Sequence, residues 1–317
     1  MNASTSSTIA ADLERQLGRK ITSLQAIPSG HSGFTYFVDV EDGSAYVLRL
    51  PPPGARIAGP ADVVRQGRIM TALHAAGLPT PAIPLMSAEP VIDGRPFVLM
   101  ERVPGERIEE ASQWGAPREI AASAVRVMKQ MQQLPLERTG LGGEEPVTLE
   151  AEMMRWAWLM QRAPEELTMR AGELGGLLAQ TVPPARQPTL VHGDYHYGNM
   201  LFRRPSELVA LLDWEIAQVG QPLLDLGCLC ILSHRRRFED APNPGGAIDV
   251  ADQDLFAMYG ADAGEMRWYI AMSLYKYASI FGYNLMLHRR GKRPDPMYEQ
   301  LTTTITGMID EGVELLR

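Results

Sequence analysis

The chain has 317 residues, 45% of them hydrophobic and 21% charged, with two cysteines and a formal net charge of −8. That length suits one large domain or two lobes with cores of their own, and the balance excludes a disordered chain or a disulfide-stapled mini-scaffold. Thirty basic residues against 38 acidic ones leave no broad basic face for neutralising phosphates, so no nucleic-acid partner is expected.

In chain order, MNASTSSTIAADLERQLG lacks the basic region and apolar core of a signal peptide, and with the low cysteine use this predicts a reducing, cytoplasmic setting. Ile9, Leu13 and Leu17 recur at four-residue spacing and predict a short helix over 7–17, stopped by Gly18. Strands are predicted at 21–27, 34–40 and 45–50, the last two joined through Asp42-Gly43 as a hairpin. Val63, Gln66, Met70 and Leu73 share one stripe of a helix over 61–76, where Gln66 needs a partner such as a backbone group. A second strand pair, 89–92 and 96–101, surrounds Asp93-Gly94, and Val103-Pro104-Gly105 then breaks the pattern. The lobe boundary is placed there, giving residues 1–103 and 104–317. Helices are predicted at 117–134, 148–163, 169–181, 222–234, 263–289 and 296–316, with short strands around a loop at 189–214 as the exception. The apolar run 269–287 has nearly the length of a membrane span, but Lys276, four tyrosines and Asn284 make it a core helix, so no membrane partner is expected. Cys228 and Cys230 lie two apart in an apolar run, a spacing with no metal or disulfide signal.

Two short pieces carry the chemistry: VHGDYHYGNM at 191–200 and LLDWE at 211–215. Asp194, Asn199 five positions on and Asp213 fourteen beyond that are hard oxygen donors on loops flanking a strand pair. Such a set suits magnesium, which takes few protein ligands and several phosphate or water oxygens. Phosphoryl transfer asks a protein mainly to position a hydroxyl, neutralise phosphates and hold metals. His192 and His196 with Asp194 match no zinc spacing.

The segment His192, Gly193, Asp194, four variable residues, Asn199 resembles the catalytic motif of the aminoglycoside phosphotransferase and choline kinase superfamily, which shares the protein-kinase fold. The resemblance implies an α+β, protein-kinase-like bilobal fold with a small five-stranded amino lobe and a larger, mainly helical carboxy lobe. It implies that Asp194 orients or deprotonates the acceptor hydroxyl, and that Asn199 and Asp213 hold Mg2+ on the phosphates of ATP. His192 at the family position hydrogen-bonds the loop backbone, Asp225 in PLLDLG braces the loop, and His196, among the variable positions, is open to substrate contact. Gly30, Ser32 and Gly33 in PSGHSGFTY lie between the first two strands, where the family keeps its phosphate-covering loop. Arg49 stands where most kinases have a phosphate-touching lysine. Its usual glutamate partner is replaced by Gln66, so Arg49 is expected to take either a neutral hydrogen bond or a different acidic group. Met100 falls at the gatekeeper position, and the backbone of Glu101 and Val103 is expected to meet adenine.

Asp225 follows Asp213 by twelve positions, too few for the long activation segment that presents a peptide, so the acceptor is expected to be a small hydroxylated molecule. Trp156, Trp158, Tyr275, Tyr283 and Asn284 are candidate pocket liners, each with an ordinary core role as the alternative. The basic runs HRRRF (234–238) and HRRGKR (288–293) suit phosphate, carboxylate or coenzyme A groups, or are solvated helix ends. YVLRLPPPG resembles a subgroup that includes kinase domains joined to acyl-CoA dehydrogenases, which ranks an unidentified hydroxylated metabolite, with an acyl-CoA or another anion among the options, ahead of an aminoglycoside. The expected activity is transfer of the ATP γ-phosphoryl group to that hydroxyl. The alternative, motivated by Gln66, is a kinase-like nucleotide-binding module without turnover.

Overall fold

Alternation of apolar and polar residues makes the early strands one-sided. In the computed structural model, which describes residues 3–27, 34–233 and 248–317, they form the expected five-stranded sheet. Helix α1 (Ala3–Leu17) precedes β1 (Ile21–Ala26), β2 (Phe34–Val40) and β3 (Ala45–Leu50); α2 (Val63–Ala75) then leads to β4 (Leu85–Ile92) and β5 (Arg95–Glu101). The sheet order is β1-β2-β3-β5-β4, with every neighbouring pair antiparallel. The β2–β3 turn works because Gly43 takes φ +87° while Asp42 Oδ1 accepts the Ser44 amide at 2.9 Å. β4 starts four residues earlier than the pattern predicts. Its pairing with β5 is irregular between Ser87 and Ile92, which accommodates Pro90, a residue with no ladder donor.

One sheet face is closed by α1, whose fully buried Ile9 and Leu13 pack with Tyr36, Val38, Leu48, Leu50, Phe97 and Leu99. α2 lies close to Val98, which alternates to the opposite face: a Cβ on Gly67 would stand 3.0 Å from Val98 Cγ2 and 2.8 Å from Met86 Sδ. The predicted stripe of α2 is buried, Gln66 included.

The described residues fall into two compact units. The first is drawn from Met1–Gly105, Glu137–Gly142 and Val209–Ile216, and the second from Glu106–Leu136, Gly143–Leu208 and Ala217–Arg317. The chain therefore returns to the first unit twice after leaving it, and LLDWE counts with the sheet. The remaining elements are α3 (Ile108–Ala111), α4 (Pro117–Gln132), α5 (Leu149–Met160), α6 (Ala171–Gln180), β6 (Thr189–Val191), β7 (Met200–Arg203), β8 (Glu207–Leu211), β9 (Gln218–Gly220), α7 (Leu223–Ser233), α8 (Asp252–Tyr259), α9 (Ala263–Arg289) and α10 (Thr302–Leu316).

Within the second unit β6 pairs antiparallel with β9, and α9 is buried nearly all round from Met266 to Ser279. A helix without a polar face belongs in a core, which accounts for its span-like composition. Among the described residues no helix is long and apolar enough to cross a membrane. α7 and α9 come together at Gly227, where a Cβ would stand 2.5 Å from the Tyr269 carbonyl oxygen. Leu48 is fully buried, so Leu48→Ala is expected to cost about 2–5 kcal/mol, read as a lowered urea midpoint with an unchanged slope.

Candidate active site

Where β6 ends, the chain turns into the loop His192–Asn199. Its first two amides are not left to water. Asp225, fully buried in the first turn of α7, accepts the His192 N–H on Oδ2 and the Gly193 N–H on Oδ1, each at 2.9 Å. Gly193 takes φ +82°, a left-handed conformation that lets the chain reverse over that carboxylate. The buried His192 ring accepts the Asp194 N–H on Nδ1 at 3.2 Å and meets Tyr195 edge-on, with centroids 5.8 Å apart. The Tyr195 hydroxyl donates to the Ala124 carbonyl at 2.8 Å, tying the loop to α4.

Three donors converge on the Asp194 carboxylate. Tyr277 Oη donates to Oδ1, Asn199 Nδ2 donates to Oδ2 at 2.9 Å, and His196 Nε2 lies 3.3 Å from Oδ2. His196 Nδ1 accepts the Gly198 amide at 3.0 Å, so the neutral ring carries its proton on Nε2, facing the carboxylate. Asn199 Nδ2 also donates to the Asp194 carbonyl at 3.0 Å; the flipped amide would set oxygen against oxygen, so its Oδ1 points elsewhere. Beneath the loop, the buried Lys276 ammonium donates to the Gly193 carbonyl and lies 5.2 Å from the Trp156 ring centroid and 5.0 Å from that of Tyr277. The Tyr277 hydroxyl gives its proton to Asp194, so the Cys228 thiol, 2.8 Å away, donates to the phenol oxygen.

These contacts pull apart the protonation of two interacting carboxyls, Asp194 and Asp225. Burial would raise the Asp194 pKa, but His196, Lys276 and Tyr277 outweigh it and hold the group well below the usual carboxylate range. Burial pushes Asp225 up to about 7, against the His192 and Gly193 amides and Lys276, with the Asp194 charge adding to the rise.

The first unit holds the other cluster. Arg49 on β3, its side chain 11% exposed, donates from Nη1 to Asp213 Oδ1 at 2.9 Å and from Nη2 to Glu215 Oε2 at 2.6 Å. Burial alone would lower its basicity; the two carboxylates reverse this and raise it. Asp213 follows β8 with φ +62°, uncommon for a residue with a Cβ. The buried Trp214 indole donates to the Leu211 carbonyl at 3.1 Å. Gln66 turns its amide to the Pro60 carbonyl at 2.9 Å, so the acidic partners of Arg49 come from LLDWE.

On β5, Met100 is buried and the Glu101 N–H donates to the Ala82 carbonyl at 2.8 Å; Val103, just past the strand, is half-buried. Gly30, Ser32, Gly33 and the run 234–238 lie outside the described residues. Of the aromatic candidates, Trp156 and Tyr275 are core, Trp156 donating to Glu152 Oε1 at 2.7 Å. Trp158 is 50% exposed and tilts against Tyr283 at 6.0 Å. Asn284 accepts from Arg293 Nη1 at 2.8 Å, and Arg289 pairs with Glu166 and Glu299, so much of the run 288–293 is engaged at its own helix end. Sequence reasoning missed Lys276, Tyr277 and Glu215 as site residues. A lysine in an apolar run and a second carboxylate two places after Asp213 were the available signals.

The profile of the phosphotransferase enzyme family, APH, matches residues 23–269. Acyl-CoA dehydrogenase family member 11 of Gallus gallus is 31% identical over 318 residues, taking in 92% of this chain and 40% of that protein. The chain spans 25% to 41% of the length of the curated relatives first matched. Among solved structures, a Ralstonia eutropha JMP134 protein named for the aminoglycoside phosphotransferases superposes with TM-score 0.76 at 22% identity, covering 97% of each chain. The hygromycin-bound aminoglycoside phosphotransferase APH(4)-Ia, a thermostable variant in ternary complex with AMP-PNP and hygromycin B, gives TM-score 0.66 at 15% identity, covering 97% of this chain and 98% of that one. At those identities the likeness is one of fold, the kinase-like one. The family match, by contrast, runs from β1 into α9 and takes in the His192–Asn199 loop, Asp213 and Asp225: the chain belongs to the phosphotransferase enzyme family.

Proposed function

We propose that this protein transfers the γ-phosphoryl group of ATP to a hydroxyl of a small metabolite, with Asp194 as the group that meets the acceptor. The observation that carries the reading is the Asp194 carboxylate, fixed by Tyr277, His196 and Asn199 on a loop pinned by Asp225. A carboxylate this far below neutral pKa is a weak base. Its main work is to accept a hydrogen bond from the acceptor hydroxyl and aim its oxygen, taking the proton late as the loose transition state collapses.

The residues present fit a magnesium-bound nucleotide. Asn199 has spent its amide nitrogen on Asp194 and offers Oδ1, and Asp213 offers a carboxylate; both are hard oxygens of the kind Mg2+ takes alongside phosphates. By the family motif these two would hold it. Bound there, the cation neutralises charge on the phosphate oxygens. Arg49 supplies a fixed guanidinium for the same phosphates, while Met100, the backbone of Glu101 and Val103, and the Gly30–Gly33 segment would receive the nucleotide. His192 and Asp225 support the loop. The Gln66 departure that motivated a binding module without turnover has a counterweight: Arg49 is held by carboxylates of its own.

For the acceptor, relatives named as acyl-CoA dehydrogenase family members reach 31% identity across 92% of this chain, against 22% or less for the aminoglycoside enzymes. This supports an acyl-CoA-linked hydroxyl over an antibiotic. Incubation with γ-labelled ATP, Mg2+ and a panel of hydroxyacyl-CoA thioesters and aminoglycosides, followed by mass spectrometry, decides it. Phosphorylated thioester is expected, and ATP binding with no phosphorylated product and no ADP would reject the enzymatic reading.

Asp194→Ala is expected to lower turnover at least ~100-fold, the ordinary contribution of such a group, with nucleotide affinity nearly intact; turnover within tenfold of wild type would remove Asp194 from the role. Asp213→Ala should weaken Mg2+-dependent nucleotide binding in calorimetry, and an unchanged affinity contradicts its assignment. Asp225 holds its proton more readily folded, near 7, than unfolded, near ~3.9. Its contribution to stability is therefore full below the unfolded value and lost as pH rises through the folded one. The stability margin of wild type over Asp225→Asn, from urea unfolding, should shrink between pH 4 and 8 through that window; a margin that grows with pH contradicts the burial of this carboxyl.

A further inference from the structure

Arg49, Asp213 and Glu215 form a charge cluster inside the first unit. The guanidinium fork is split, one nitrogen to each carboxylate, and the side chains of Asp213 and Glu215 are only 35% and 21% exposed. Two carboxylates two positions apart and partly withdrawn from water repel each other unless a cation lies between them. Arginine is suited to that place in a way lysine is not, because its rigid fork engages two acids at once while an ammonium is a single point charge. Gln66, turned to Pro60, contributes no charge. Arginine for lysine on β3, glutamine for glutamate on α2 and Glu215 after Asp213 thus make one coherent exchange of counter-ions.

Resting on the reading of Asp213 as a metal ligand, we propose that Arg49 is a placeholder cation: it occupies Asp213 while no divalent ion is bound, and Glu215 is the positioning residue that retains the guanidinium when Asp213 is given over to the metal. The same arginine then remains beside the phosphates instead of swinging free. Loading of the site is an exchange of one cation for another on Asp213, with Glu215 as the fixed end of the pivot.

The test is a Mn2+ titration followed by electron paramagnetic resonance, without nucleotide, on the full chain. Arg49→Met removes the competitor and should bind Mn2+ at least ~10-fold more tightly than wild type, the scale expected for deleting a full charge in contact with a partly buried carboxylate. Glu215→Gln takes the second carboxylate from the guanidinium and should bind Mn2+ at least ~3-fold more weakly on the same grounds. Mn2+ should also raise the unfolding temperature of Arg49→Met more than that of wild type, since a ligand stabilises in proportion to its occupancy. Equal or weaker Mn2+ binding by Arg49→Met overturns the placeholder, and tighter binding by Glu215→Gln overturns the role of Glu215. If Arg49→Met does not fold without the metal, the Glu215→Gln titration decides alone. Asp213→Asn separates the two levels: loss of Mn2+ binding is expected, and binding unchanged from wild type would sink the metal assignment itself.

Discussion

A single buried carboxylate, Asp225, accepts the amides of two consecutive residues, and the loop that follows depends on that grip. With His192 and Gly193 fixed, the backbone reverses at a positive φ and the next side chain, Asp194, leaves the loop in one direction. His192 is buried and Gly193 partly so, and amides withdrawn from water need an acceptor. No side chain on the loop itself supplies it. The acceptor comes from α7, thirty-two residues downstream of Gly193, so the loop's shape is a tertiary property.

The same neighbourhood sorts charge. Asp194 and Asp225 share Lys276 as a common positive neighbour, yet one is driven toward permanent ionisation and the other toward neutrality. The difference is in their donors. Asp194 has a hydroxyl, an amide and an imidazole on its carboxylate, whereas burial dominates at Asp225. Environments that pull two titratable groups apart are characteristic of sites where one must stay charged to act. Arg49 shows a corresponding arrangement in the sheet unit, where one guanidinium pairs with two acids and is raised in basicity despite its burial.

Much of this was legible before any coordinates. The hairpins are announced by Asp-Gly pairs, α2 by its stripe, and the loop by an octet with four fixed positions, His192, Gly193, Asp194 and Asn199. What was not legible has two physical origins. Short elements lack a period: α8 buries only Leu255 and Phe256, and β9 has three residues, too few to distinguish strand from turn. Contacts made over long chain separations leave no local trace. Tyr277 reaches Asp194 from 83 positions away, Lys276 reaches Gly193 over the same separation, and Glu215 finds Arg49 across 166. The Gln66 stripe position was readable, while the carbonyl it faces was not, because Pro60 belongs to the loop before the helix.

Asp225 rides on α7, and Lys276 and Tyr277 ride on α9, so the loop is gripped from below by two helices. Those helices touch at Gly227, where a single methyl group would collide with the Tyr269 carbonyl. The close helix seam thus holds the elements that carry Asp225, Lys276 and Tyr277 in register beneath the loop. A substitution at the half-exposed Trp158 has room, whereas one at Gly227 has to displace a backbone carbonyl.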